Sequence, residues 1–154
     1  MLSRRVWLRR LVGFVGAPTL LAEELAAAPP APRAIAQTSP ADPAHFMRRA
    51  EEMRRLAQER GDQPYGAVVV KEGRIVGEGV SAVVTNRDPT AHAEMEAIRD
   101  ACRRLGTGDL SGCAIYSTSR PCRMCETACY WARIARMVFG ADLSDGGPPR
   151  YGGC

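Results

Sequence analysis

The sequence predicts an α/β domain, a sandwich in which helices cover a mixed β-sheet. Three observations point there: two short β-rich runs joined by a glycine turn, a later alternation of strand-like and helix-like segments, and apolar residues at helical spacing in three places. With 154 residues, 45% of them hydrophobic, the chain can bury one core and has little material for a second. One domain is therefore expected, over residues 37–154, behind an N-terminal segment of different composition.

Taking the elements in order, residues 42–60 place Phe46, Met47, Ala50, Met53, Leu56 and Ala57 at helical spacing with charges between them, and Gly61 ends this amphipathic helix. Gly66–Lys71 and Arg74–Val80 flank Glu72-Gly73 and read as a hairpin. A loop through Asn86-Arg87-Asp88-Pro89 leads to Thr90, a candidate cap for a helix running to Leu105, where Gly106 and Gly108 break the pattern. Cys113–Ser117 reads as a strand, residues 122–134 as a helix with Pro121 at its first turn, and residues 137–140 as another strand. The tail from Gly146 to Cys154 is rich in glycine and proline and has no periodicity. No internal repeat is visible.

Residues 1–36 stand apart. Arg4 and Arg5 precede an apolar run, and an Ala/Pro-rich stretch ends in Ala34-Ile35-Ala36, which is the order of a cleaved export signal of the twin-arginine type. This places the protein in the periplasm or outside the cell, and in the cytoplasm if the segment is not a signal. Glu23 and Glu24 interrupt the apolar run, so no membrane-spanning helix is expected. The same segment carries much of the net charge of +4, because beyond Ala36 there are 16 basic and 15 acidic residues. A nearly neutral body lacks the broad positive field that binds nucleic acid, which favours a small substrate.

Two short patterns carry the chemistry: His92-Ala93-Glu94 at the start of one helix and Pro121-Cys122-Arg123-Met124-Cys125 at the start of another. Cys122 and Cys125 lie three apart and can offer two thiolates to one zinc ion, with His92 as a third donor. Helix starts favour thiolate over thiol. Three protein ligands leave a fourth position open, which distinguishes a catalytic zinc site from a closed structural one. Glu94 is close enough to share the site without being a ligand, and a carboxylate there can shuttle protons. A lone C-x-x-C is more often redox-active or structural and a lone histidine more often packing, so it is the combination that carries the reading. A zinc-binding scaffold, or a redox protein cycling Cys122 and Cys125, is the alternative of another class.

At these residues the chain resembles the cytidine-deaminase-like superfamily, in the branch of guanine deaminases and bacterial tRNA adenosine deaminases. The resemblance covers about residues 46–141. It rests on residues 88–94 and 121–125, supported by Pro64-Tyr65-Gly66-Ala67-Val68 and by Tyr130-Trp131-Ala132-Arg133, which is similar to guanine deaminases. It implies a three-layer α/β/α sandwich around a five-stranded mixed sheet, one zinc per chain held by His92, Cys122 and Cys125, and Glu94 as the proton-transferring residue. It also implies a small heterocyclic amine as substrate, with guanine first and tRNA adenosine as the rival, and a homodimer or larger assembly.

The chain departs from that branch in its substrate contacts. Ser81 stands where an asparagine commonly binds the base, Asn86 is the chain's only asparagine, and Arg120 replaces a common glutamate beside the zinc helix. Arg120 makes a carboxylate-bearing or otherwise polar substrate conceivable. Tyr151, in the tail, is a fourth candidate contact. Of the remaining cysteines, Cys102 and Cys113 fall on core faces, Cys129 follows Cys125 by one helical turn, and Cys154 ends the chain. Tyr130 and Trp131 read as helix packing, and the arginine pairs at 48–49, 54–55 and 103–104 as solvated helix faces.

Overall fold

A computed structural model describes residues 33–37 and 42–151, so most of the export-type segment and Cys154 lie outside the described residues. The element order is α1 (Pro43–Glu59), β1 (Gly66–Lys71), β2 (Arg74–Val80), α2 (Ala93–Leu105), β3 (Cys113–Ser117), α3 (Arg123–Trp131), β4 (Arg136–Phe139) and β5 (Ser144–Gly147). The strands form one sheet in the order β2-β1-β3-β4-β5. Only β3 and β4 run parallel, joined by the crossover through α3, so the sheet is mixed as expected.

Side-chain alternation along the strands builds three layers. Val68, Val70, Tyr116 and Val138 point to one face and meet Phe46, Met47 and Ala50 of α1. Ala67, Val69, Ile115 and Met137 point to the other and meet Ala93, Ala97 and Ala101 of α2 and Cys129 of α3. The second helix lies almost on the backbone of β2: a Cβ on Gly79 would sit 1.9 Å from the Ala93 carbonyl oxygen, and one on Gly77 2.5 Å from that of Ala97. Glycine in β2 and alanine in α2 thus set the height of the helix that carries Glu94.

Four local readings need correction. Thr90 does not cap α2, because its N–H and hydroxyl both donate to Asp88 Oδ1 at 2.8 and 2.7 Å, and the cap position falls to His92. The third helix stops at Trp131: Arg133 takes φ 61°, and the N–H groups of Arg133 and Ile134 return to the carbonyls of Tyr130 and Cys129, a left-handed helix ending made without glycine. The tail supplies a fifth strand, held by antiparallel pairing to β4 and by the two-pronged Arg136–Asp145 ion pair at 3.0 and 2.6 Å. Tyr130 and Trp131 are not core; they are 44% and 67% exposed and cluster with Tyr151.

Some of the chain before residue 37 touches the domain. Ile35 packs against the α1-side core. The Gln37 side chain donates to the Ile75 carbonyl at 2.8 Å and accepts the Ile75 N–H at 2.9 Å, on the outer edge of β2. Among the described residues no helix is long and apolar enough to cross a membrane.

Candidate metal centre

Two helix starts converge at one end of the sheet. His92 is the N-cap of α2 and Cys122 the N-cap of α3, both in extended backbone, and neither side chain makes a capping hydrogen bond. Each helix thus puts a metal-donor residue where serine or aspartate usually satisfies the first N–H groups. Glu94 follows in the first turn of α2 and Cys125 in that of α3, and both are buried.

The three donor atoms form a nearly equilateral triangle. Cys122 Sγ and Cys125 Sγ lie 3.6 Å apart, and His92 Nδ1 lies 3.7 Å from the first and 3.6 Å from the second. Tetrahedral zinc with bonds of about 2.3 Å to sulfur and about 2.0 Å to nitrogen separates two sulfurs by about 3.8 Å and sulfur from nitrogen by about 3.5 Å. The triangle fits that ion, and His92, Cys122 and Cys125 are the group of potential metal donors among the described residues.

Glu94 stands beside this triangle, its Oε2 3.6 Å from Cys125 Sγ. Burial is the main cause raising its pKa, so the group holds its proton more readily than an exposed glutamate. Burial, followed by the charges of Glu94 and Cys122, drives the Cys125 thiol far upward as well. Cys129, one turn behind, is pushed up to about 12, by burial first and then by Glu94 and Glu126. Burial thus favours protonated groups here, and a divalent metal held by His92, Cys122 and Cys125 would reverse that preference at the thiols that coordinate it.

The loop that delivers His92 is held from below. Ser81 is buried and donates its hydroxyl to Asp62 Oδ1 at 2.9 Å, while Asp62 Oδ2 accepts the N–H groups of Val84 and Thr85 at 3.0 and 2.8 Å. Burial opposes ionisation of Asp62, but Thr85, Gln63 and Ser81 outweigh it and hold the carboxyl at about 2. Ser81 therefore supports the loop, its hydroxyl proton being given to Asp62. Asn86 is exposed in the same loop.

A cavity of about 620 Å³ opens beside Cys122, lined by Arg120, Arg123, Glu126, Phe139, Arg150 and Tyr151 among others. Ser81 and Asn86 do not line it, while Arg120 and Tyr151 do. Arg123 and Arg150 were not singled out in the sequence, and neither was Asp62. Arg123 lies inside the C-x-x-C motif, where its position could have marked it; Arg150 sits in an aperiodic tail that gives no such signal.

The sequence pattern of the cytidine and deoxycytidylate deaminase zinc-binding region matches residues 41–141. A tRNA-specific adenosine deaminase of Aquifex aeolicus is 45% identical over 104 residues, 67% of this chain and 69% of that protein. A guanine deaminase of Bacillus subtilis is 49% identical over 82 residues, 53% of each, so the match spans about half the length of that relative. The X-ray structure of a guanine deaminase from the same species superposes with a TM-score of 0.61 at 44% identity, covering 65% of this chain and 64% of that one.

Proposed function

Because the chain belongs to the family defined by the cytidine and deoxycytidylate deaminase zinc-binding region, we propose that it hydrolyses an amino-heterocycle to the corresponding oxo compound and ammonia, with guanine as the first substrate to test. The observation that carries this reading is the buried Glu94 carboxyl set beside a zinc-compatible His92–Cys122–Cys125 triangle. A zinc ion held by those three residues supplies Lewis acidity, which lowers the pKa of water toward neutrality.

The chain's own residues do the rest. Water adds to the ring carbon and ammonia leaves, so of water's two protons one must travel to the departing nitrogen and the other to the ring nitrogen beside the new oxo group. Glu94 is placed to take the first of these protons and return it, because its carboxyl is withdrawn from bulk water and stands against the donor triangle. Cys129 is buried one turn behind Cys125 and is not one of the three donors that come together.

Ammonia release by the zinc-loaded protein from guanine, guanosine, adenine, adenosine, cytosine, cytidine and amino-triazines tests the reading, with a tRNA anticodon stem-loop alongside. Release from one of the small molecules, abolished by Glu94→Ala with zinc retained, is the expected result. Zinc at one per chain with no ammonia from any of them, and indifference to Glu94→Gln, would leave a metal-binding scaffold instead. Turnover of the stem-loop alone would assign the rival tRNA activity, in keeping with the 45% identity to the Aquifex aeolicus protein.

A further inference from the structure

Resting on the deaminase reading, we propose that the cavity beside Cys122 is a subsite for an oxyanion group carried by the substrate, a phosphate or a carboxylate, held by Arg120, Arg123 and Arg150. Two stretches of chain bring these arginines together: the passage from β3 into α3, which carries Arg120 and Arg123, and the tail beyond β5, which carries Arg150. Among the described residues none of the three side chains is paired with an acid; Arg48, Arg55, Arg60, Arg74 and Arg87 are without an acid too, but Arg120, Arg123 and Arg150 share one cavity wall. The acid on the wall is Glu126, and its Oε1 is occupied by the Arg150 backbone N–H at 3.1 Å. The wall is left with a surplus of positive charge facing a concave space.

One guanidinium and the tail backbone are held in place. The Arg120 guanidinium lies over the Phe139 ring at 5.7 Å, a cation–π contact that lays it along the wall. The tail that bears Arg150 is fastened by β5, by Glu126, and by stacking of Tyr151 on Tyr130 at 5.7 Å. Planar guanidinium groups suit two-pronged binding of phosphate or carboxylate, and that of Arg120 is already laid against the wall.

Position relative to the metal centre defines the role. Cys122 belongs both to the donor triangle and to the cavity wall, while Glu94 and His92 do not line the cavity. The reacting ring belongs at the triangle, and the cavity takes the part of the substrate that does not react. A volume of about 620 Å³ leaves room for a sugar and a charged arm beyond a bare base. Beyond Ala36 the chain has 16 basic and 15 acidic residues, and three arginines in a hollow on a body of so little net charge suit a small anion better than a polynucleotide.

Calorimetric binding to the full zinc-loaded chain reads this without turnover. The paired ligands are guanosine and guanosine monophosphate, cytidine and cytidine monophosphate, and an amino-pyrimidine with and without a ring carboxylate. The charged member of at least one pair should bind about tenfold more tightly at low salt, with the ratio falling as salt rises. Arg120→Gln combined with Arg123→Gln should collapse that ratio, with zinc content and melting temperature confirming an intact fold. The phosphate and carboxylate pairs tell the two sources of the oxyanion apart. Equal affinity within every pair, a ratio that survives the double substitution, or a preference for the RNA stem-loop over all the monophosphates overturns the proposal. Ammonia release without any charged-ligand preference would sink the subsite and spare the deaminase reading; the preference without ammonia release would do the reverse.

Discussion

The two helix starts that meet at the metal centre are built on opposite plans. On the α2 side, alanines lie on the glycines of β2, Glu94 is 5% exposed, and the loop before His92 is pinned by the buried Asp62. On the α3 side, Trp131 is 67% exposed, three arginines border a cavity, and the adjoining strand is four residues of Ser144-Asp145-Gly146-Gly147. The first side has no room to vary and fixes where the proton-carrying carboxyl stands. The second has room and charge, and is where one substrate can be told from another. Chemistry and choice of substrate thus fall on different walls of one site.

The sharpest way to break this comparison is at Glu94. Glu94→Ala should lower kcat by about a thousandfold or more while one zinc per chain remains bound, measured by ammonia release and metal analysis. Next comes Gly79→Ala, which forces α2 off β2 and should destabilise the fold by about 3 kcal/mol in urea unfolding, with zinc affinity falling as well. Asp62→Ala removes the acceptor shared by the N–H groups of Gln63, Val84 and Thr85 and by the buried Ser81 hydroxyl, and should cost about 2 kcal/mol. The wild-type carboxyl ionises at about 2 in place of its ordinary 3.8, so its share of stability is complete above about pH 4 and fades as pH falls toward 2. Acid unfolding of Asp62→Asn should therefore lack that part of the pH dependence. At the small end, Trp131→Ala on the open side should change stability by less than about 0.5 kcal/mol. A large loss there would show the α3 side to be as tightly constrained as the other.

The architecture could be read from the sequence wherever burial is periodic. Helix α1 was bounded to within a residue at each end because Asp42 caps it and Gly61 follows it. The donor triangle was readable because residue type and spacing together restrict what His92, Cys122 and Cys125 can do. Strand β5 was invisible because it is made by backbone pairing and the Arg136–Asp145 contact, with no apolar alternation to betray it. The end of α3 was misplaced because a left-handed arginine does the work usually given to glycine. The role of Asp62 depends on a loop about twenty residues further along the chain, and that of Arg150 on a strand no pattern announced. Such contacts exist only once the chain has folded.

The Gln37 side chain has a consequence of its own. A primary amide that donates to and accepts from the same residue imitates one rung of a β-ladder, so at Ile75 the outer margin of the sheet already has a counterfeit neighbour. A foreign strand seeking to register there would first have to evict it. Removing the Gln37 side chain would bare that rung and leave the Ile75 N–H and carbonyl open to a second molecule.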